Sequence, residues 1–198
     1  MNLLILFLGY LFGSFPSGYL AGRIAKGIDI RSLGSGSTGA TNVLRHIGKR
    51  AAITVFLLDV LKGVISILLA KYFLLNDSWQ VAIGLSTLIG HIWPVWLNWK
   101  GGKAVATGLG IFLGLSWQVG LATLGIFILM ITLFRIVSLA SVSASLALPL
   151  IMFMSFGNSN ISRPFIIISL LAMILVVWRH RENIVRLIKG EEPKIGQS

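Results

Sequence analysis

The 198-residue sequence contains no cysteine, and only 12% of its residues are charged. Without cysteine, the chain has no disulfide bonds, no thiolate nucleophile and no cysteine-bound metal. A soluble domain carries about one quarter charged residues, so this shortage of charge, with 56% hydrophobic residues, indicates a chain that lies in a bilayer. Apolar runs fill most of the length, and residues 1–198 are therefore interpreted as one transmembrane domain.

Acidic residues are also scarce, since six Asp and Glu face seventeen Lys and Arg. The basic residues lie in short segments between apolar runs, which is the orientation signal of a membrane protein rather than the pattern of a nucleic-acid-binding protein. We therefore expect no nucleic-acid partner. Three scattered histidines have no metal-ligand spacing, and no carboxylate cluster suits Mg²⁺, so no metal or other cofactor is expected.

Five apolar runs are long enough to cross a bilayer at about 20 residues per crossing. They occupy residues 3–22, 51–70, 79–97, 138–156 and 163–178. Residues 104–134 suit one long helix or two short ones. Two short crossings that turn near residues 114–120 place the basic segments inside and leave only Lys71 and Arg163 outside. The sequence thus predicts an all-α bundle of seven transmembrane helices, some of them short, with the N-terminus outside and the C-terminus in the cytoplasm.

The first polar segment, residues 34–45, reads GSGSTGATNVLR. Its three glycines among hydroxyl residues allow backbone N–H groups to converge on an anion, and a helix N-terminus after them would add positive potential. The segment lacks the lysine that ends a Walker A loop, which disfavours nucleotide hydrolysis. On composition alone, an ordinary flexible loop is the alternative.

The second polar segment, residues 90–107, contains Lys100-Gly-Gly-Lys103 immediately before a predicted helix. Two ammonium groups, backbone amides and a helix dipole would form a phosphate-binding site, whereas the alternative is a turn flanked by lysines that orient the chain. In the third segment, residues 179–193, His180 and Asn183 lie on one face if the last helix continues through them. Its alternative is a solvated basic helix end.

Asp59 and Lys62 lie three positions apart within a predicted span, a spacing that allows them to pair. A charge inside a membrane points to function, and a structural ion pair is equally compatible. Together the polar segments predict a phosphate-binding site at the inner membrane surface without naming a reaction. A small transporter and a non-catalytic lipid-binding or assembly protein remain alternatives.

At these three segments the chain resembles the bacterial acyl-phosphate-dependent glycerol-3-phosphate acyltransferases. Their pattern combines GSGN-x-GATN-x-x-R, a GH-x-x-P segment rich in Val and Trp that leads into KGGKGVAT, and a terminal RHR-x-NI-x-RL-x-x-G-x-E. The resemblance covers nearly the whole chain and extends to residues 59–63 and 138–141. Two positions depart from the pattern, because Ser37 replaces an asparagine and Ala104 replaces a glycine.

The resemblance implies transfer of a fatty acyl group from acyl phosphate to the 1-hydroxyl of sn-glycerol 3-phosphate. The products would be 1-acyl-glycerol 3-phosphate (lysophosphatidic acid) and phosphate, as in phospholipid biosynthesis. The implied setting is the lipid bilayer of the bacterial inner (cytoplasmic) membrane, with the active site on the cytoplasmic side. No histidine is followed by an aspartate five positions later, so the His-x4-Asp machinery of acyl-CoA acyltransferases is missing.

The residues matched to the family receive expected roles in catalysis, substrate binding and structure. The expected catalytic residues are Ser35, Arg45, His180 and Asn183. The expected substrate-binding residues are Gly34, Gly36, Gly39, Thr41, Asn42, Lys100, Gly101, Gly102, Lys103 and Ser141. The expected structural residues are Asp59, Lys62 and Glu192. Amides of both glycine-bearing loops would bind the donor phosphate during direct transfer. The proton would go to His180 or to a substrate phosphate, and a covalent acyl-Ser35 intermediate is the competing mechanism.

Overall fold

A computed structural model describes residues 1–156 and 161–196, which form ten α-helices and two turns of 3₁₀ helix. The helices, α1 to α10, are Asn2–Ser14, Ser17–Lys26, Ala40–His46, Lys49–Tyr72, Asp77–Ile92, Val105–Leu115, Trp117–Phe134, Val137–Met154, Arg163–Arg179 and Arg181–Ile188. The 3₁₀ turns are Ile30–Ser32 and Val95–Leu97. The prediction of an all-α membrane protein is confirmed.

Helix length separates the segments that can cross a bilayer from those that are short. Five helical segments of the described chain are long and apolar enough to cross: Asn2–Lys26, Lys49–Tyr72, Asp77–Leu97, Trp117–Phe134 and Val137–Met154. The bent pair of α9 and α10 is a sixth, and α6 is a shorter apolar helix of 11 residues. The helical structure is interrupted at Ser116, between α6 and α7. This residue lies inside the turn predicted at residues 114–120. The count of seven crossings stays a prediction.

Proline explains two of the breaks. Pro16 separates α1 from α2, because it lacks a backbone N–H and disfavours helical geometry at Phe15, whose φ and ψ are −56° and 121°. Pro94 follows the end of α5 and precedes the second 3₁₀ turn. Pro149 lies inside α8. Because of the first break, Ser17 begins a new helix within the first apolar run, residues 3–22.

The first compact unit, Met1–Leu115, is built on close helix pairs, with α1 along α5 and α4 along α6. Glycine permits this approach. A Cβ at Gly13 would meet the backbone of Thr87, and one at Gly110 would meet the carbonyl of Val60. Small residues at such crossings let apolar helices pack backbone to backbone, where lipid offers no hydrophobic driving force.

The second compact unit begins at Ser116, and in it α8 packs against α7, α9 and α10. Helix α9 ends at Arg179, α10 starts at Arg181, and their axes differ by 61°. The condition under which His180 and Asn183 would share one helix face, a last helix that continues through them, is therefore not met. Of the outer loop predicted at residues 157–163, residues 157–160 lie outside the described residues.

Candidate active site

Asn42 organises the glycine loop, residues 34–39. Its side chain is buried in α3, and its Nδ2 group donates to the carbonyls of Ile30 (3.0 Å), Leu33 (3.1 Å) and Ser37 (2.9 Å). Its Oδ1 accepts the amide of Ser35 at 3.3 Å. An amide side chain has only two N–H donors, so these contacts use them fully. Asn42 therefore serves the predicted binding site by shaping the loop.

Glycine is required in this loop by backbone conformation. Gly34 and Gly36 have φ of +55° and +65°, a region that other residues rarely adopt. At Gly34, a Cβ would also meet His46 Nε2 and Asn42 Oδ1. The amide of Gly39 donates to Ser37 Oγ at 3.2 Å. Ser37 thus makes the local side-chain-to-backbone turn for which serine and asparagine are both suited, so its departure from the family pattern preserves the loop.

The predicted residues of this loop and of α3 differ in how far they reach solvent. Gly34 and Gly36 are exposed, Ser35, Gly39 and Thr41 are half-buried, and Arg45 extends from the last turn of α3. Arg45 is thus placed to approach a charged ligand, and its guanidinium can hold a phosphate through two parallel hydrogen bonds.

The lysine loop, residues 100–103, uses its amides inside the protein. The amides of Lys100, Gly101 and Gly102 donate to the carbonyls of Leu97 (3.2 Å), Ile92 (3.1 Å) and His91 (3.0 Å), respectively. The phosphate-binding role predicted for these amides is therefore wrong, because all three already have acceptors. A phosphate would instead meet the side chains of exposed Lys100 and half-buried Lys103 beside the start of α6.

The two glycines of the lysine loop permit close packing. A Cβ at Gly101 would meet the carbonyl of His91 and the ring of Pro94. A Cβ at Gly102 would occupy the position of the His91 imidazole. Both glycines were expected to bind substrate, whereas their contacts hold the loop against the end of α5.

Arg31 joins the segments that carry the two loops. Its Nη1 donates to the carbonyl of Leu97 at 2.7 Å, and its Nη2 lies 2.7 Å from Asp29 Oδ2. Hydrogen bonds from this guanidinium lower the pKa of Asp29 despite the carboxyl group's partial burial. Arg31 was not singled out from the sequence. The Asp-Ile-Arg spacing was the available signal, since it places a carboxylate two residues from the guanidinium.

Asp59 and Lys62 form the ion pair that their spacing allows, with 2.8 Å between Lys62 Nζ and Asp59 Oδ1. Both side chains are buried in α4. Asp59 also accepts a hydrogen bond of 2.7 Å from Ser17 Oγ, and Lys62 Nζ lies 2.7 Å from His91 Nδ1. Pairing is what makes two charges tolerable in an apolar surrounding.

His180, in the second unit, is buried at the bend between α9 and α10. Its Nδ1 lies 2.8 Å from the carbonyl of Val176, an acceptor, so Nδ1 carries the ring proton and Nε2 is the basic nitrogen of the neutral imidazole. The nearby carboxylate of Glu182 is exposed and lies 3.8 Å from Arg181. A backbone carbonyl therefore fixes the ring.

The side chain of Glu192 links two residues of the C-terminal segment. Its two carboxylate oxygens accept hydrogen bonds from Asn183 Nδ2 (2.6 Å) and Arg186 Nε (2.7 Å). Burial alone would raise the pKa of Glu192, but the hydrogen bonds from Asn183 and Arg186 lower it overall. The Ser138 hydroxyl makes no hydrogen bond of good geometry, yet it is close enough to favour the charged form as well. Ser141 is buried and donates to Val137 at 2.9 Å.

A family model described as glycerol-3-phosphate acyltransferase matches residues 3–190. The chain belongs to the glycerol-3-phosphate acyltransferase family. A glycerol-3-phosphate acyltransferase of Prochlorococcus marinus (strain NATL2A) is 91% identical, and the match covers 100% of both chains. One from Parasynechococcus marenigrum (strain WH8102) is 63% identical over 98% of this chain and 90% of its own.

Solved structures place the fold in the same acyltransferase family. The crystal structure of PlsY (YgiH), an integral membrane glycerol 3-phosphate acyltransferase in its glycerol 3-phosphate form, is 37% identical with a TM-score of 0.89. The match covers 98% of this chain and 96% of that one. The lysophosphatidic acid form of PlsY is 36% identical, again with a TM-score of 0.89, over 98% and 95% of the two chains. The protein is therefore an integral membrane protein of the PlsY type.

Proposed function

We propose that this chain transfers a fatty acyl group from acyl phosphate to the 1-hydroxyl of sn-glycerol 3-phosphate. The products are 1-acyl-glycerol 3-phosphate and inorganic phosphate. The observation that carries the proposal is the link through Arg31, which joins the segment of the glycine loop to the segment of the lysine loop. Two adjacent phosphate-binding loops suit a reaction in which both substrates carry a phosphate. Membership of the acyltransferase family supports glycerol 3-phosphate as the acceptor.

The transfer is direct. The acceptor hydroxyl oxygen attacks the acyl carbonyl carbon, the bond from that carbon to the phosphate oxygen breaks, and phosphate leaves with the electron pair. Arg45 and Lys103 hold phosphate groups, the first through a fork of two N–H donors and the second as a point charge. Because acyl phosphate is a mixed anhydride with a good leaving group, stabilising charge on the departing phosphate is the main task of the protein.

A covalent intermediate on Ser35 is less well supported. A serine nucleophile needs a base within hydrogen-bonding distance of its hydroxyl. Among the described residues of the first unit, no histidine or carboxylate makes such a hydrogen bond to Ser35. Direct transfer needs no such partner. An acyl group trapped on Ser35 by rapid quenching would overturn this step.

The proton released by the acceptor hydroxyl goes to His180 Nε2 or to a substrate phosphate. The Val176 carbonyl supports the first route, because it leaves Nε2 as the basic nitrogen. Replacement of His180 by Ala distinguishes the two. General base catalysis is worth about 10²–10⁴-fold, so a loss of that size supports His180. A residual rate within about tenfold, or 1.4 kcal/mol, assigns the proton to the substrate phosphate.

In the membrane, we infer seven crossings with the N-terminus outside and both loops on the cytoplasmic side of the bacterial inner membrane. The break at Ser116 supports two short crossings in residues 104–134. The basic residues of the loops and of the C-terminal segment then lie on the cytoplasmic side.

Phosphate release from the purified protein tests the proposed reaction. With palmitoyl phosphate as donor and EDTA present, release is expected only when glycerol 3-phosphate is added, together with formation of lysophosphatidic acid. Release without glycerol 3-phosphate would indicate a hydrolase. No release from folded protein would favour a transporter, which counterflow of glycerol 3-phosphate in proteoliposomes would then detect.

A further inference from the structure

A cluster of polar side chains lies buried among the apolar helices of the first unit. Asp59, Lys62, His91 and Thr107 are exposed by only 1%, 6%, 6% and 0% of their surfaces, and Ser17 by 5%. They come from α2, α4, α5 and α6, so one cluster joins four helices. Hydrocarbon does not tolerate such groups unless they satisfy one another, and a buried charge in a membrane protein points to function.

The contacts in this cluster indicate which nitrogen of the His91 ring carries the proton. Lys62 Nζ lies 2.7 Å from Nδ1, and the ammonium of a lysine paired with a carboxylate at 2.8 Å can only donate. Nδ1 therefore accepts, and the ring proton resides on Nε2. The Thr107 hydroxyl, 3.2 Å from the same Nδ1, is a second donor to it. Asp59 holds the Lys62 side chain, and Lys62 in turn contacts Nδ1 of the His91 ring.

His91 in turn contacts the lysine loop with its backbone and its side chain. Its carbonyl accepts the amide of Gly102 at 3.0 Å, and its Nε2 edge fills the space where a Cβ of Gly102 would be. The adjoining Gly101 lies against the same carbonyl. A change in the angle of the imidazole would therefore displace the backbone between Lys100 and Lys103.

The opposite end of the cluster reaches the glycine loop. Ser17 donates to Asp59, and the next residue, Gly18, packs so closely on the carbonyl of Thr38 that a Cβ would overlap it. The ion pair thus lies between the two loops that we assign to phosphate binding. Helix α2 connects it to one loop and His91 to the other.

We propose that His91, held by the Asp59–Lys62 pair, is a positioning residue that sets the lysine loop for phosphate binding. The assignment of phosphate to that loop rests on the proposed function, whereas the positioning of the loop does not. His91 acts through the backbone of Gly102 and through the placement of Lys103. Removing its support is therefore expected to weaken substrate binding more than turnover.

The test separates positioning from simple charge balance. The double variant Asp59→Asn/Lys62→Met removes both charges, leaves an acceptor for Ser17 and fills the volume of the lysine with an apolar chain. Replacing a whole buried pair is often neutral for stability, unlike removal of one partner. We expect a folded protein whose Gly101 and Gly102 amides exchange at least about tenfold faster, by hydrogen-exchange mass spectrometry of residues 98–106. The KM for glycerol 3-phosphate should rise about tenfold, with kcat within about threefold.

Lys71→Met is the matched control, because Lys71 lies on the same helix and donates to the carbonyl of Gly114 at 2.7 Å. It should leave the exchange of residues 98–106 unchanged. If the double variant does not fold, His91→Asn replaces it, since its side chain can still accept from Lys62 but is too short to reach Gly102. Wild-type exchange in either folded variant overturns the proposal. Exchange is measured without turnover, so the result stands even if the wild-type protein fails to release phosphate.

Discussion

Among single residues, Ala104 adopts a left-handed backbone conformation in the candidate site. Its φ is +61°, its side chain is 1% exposed, and it precedes the first residue of α6. A left-handed conformation is disfavoured by about 1–2 kcal/mol for residues other than glycine. Replacing Ala104 by Gly, the residue that the family pattern places here, should therefore raise the free energy of unfolding by about 1 kcal/mol, measured by thermal unfolding in detergent.

Where alanine has ordinary helical geometry, replacing it by glycine should lower the free energy of unfolding instead of raising it. Ala122 is exposed within α7, and Ala122→Gly should lower the free energy of unfolding by about 0.5–1 kcal/mol. Equal destabilisation by both glycine substitutions would show that the conformation at Ala104 is not strained.

Glu192 should make stability depend on pH. Its pKa is lower in the folded protein than its ordinary value, about 4.3, which the unfolded chain retains. The carboxylate therefore contributes stability that is fully present above the unfolded value and is lost as pH falls through the folded one. The unfolding temperature of the wild type should fall on acidification below about pH 4.3, and that of Glu192→Gln should fall less.

The neighbouring Glu191 provides the control for this titration, because its side chain is exposed. Glu191→Gln should retain the pH dependence of the wild type. If the curves for wild type and Glu192→Gln run parallel from pH 7 to pH 3, the carboxylate is not stabilised by folding.

Between elements, Arg31 provides a contact that can be removed without touching either loop. Its Nη1 is the donor to the Leu97 carbonyl, and a lysine cannot bond Leu97 and Asp29 together in the same fork. Hydrogen bonds to charged groups contribute about 1.5–3 kcal/mol. We therefore expect Arg31→Lys to raise the KM for glycerol 3-phosphate about tenfold in the phosphate-release assay.

Arg23 allows a matched comparison, since the guanidinium carbons of Arg23 and Arg31 each lie 5.3 Å from the Tyr19 ring. The guanidinium of Arg23 donates hydrogen bonds to Tyr19 and Gly27 rather than to Leu97. Arg23→Lys should therefore leave KM within about twofold of the wild type, because pairs of this exposure contribute little. An equal rise for both variants would attribute the effect to the ring contact or to surface charge.

Helix placement could be predicted from sequence because apolar runs and the distribution of lysine and arginine both report on the bilayer. The break at Ser116 was predicted this way. The bend at His180 was not, because neither proline nor glycine marks it and the side chain bonds back to the Val176 carbonyl instead. Nor does composition show which amides of a glycine loop already have acceptors. That depends on residues distant in sequence, such as Ile92 for Gly101.

For the whole molecule, the number of crossings depends on α6. Its 11 residues span about 16 Å at 1.5 Å per residue, against a hydrocarbon core of about 30 Å. The flanking loops and a locally thinner bilayer would have to supply the remainder. If α6 does not cross, the chain has six spans, and every segment after it exchanges sides.

Labelling of single cysteines distinguishes the two topologies, and the cysteine-free chain gives it no background. Ser78 is exposed in the first turn of α5, and Lys49 is the first residue of α4. Seven and six spans therefore agree on placing Ser78→Cys outside and Lys49→Cys inside. Lys189→Cys, exposed after α10, differs between them. With seven spans, a membrane-impermeant maleimide should label Ser78→Cys in intact cells, and Lys49→Cys and Lys189→Cys only after permeabilisation. Labelling of Lys189→Cys in intact cells would mean that α6 returns to the side it came from, and would separate the C-terminal histidine from the cytoplasmic loops.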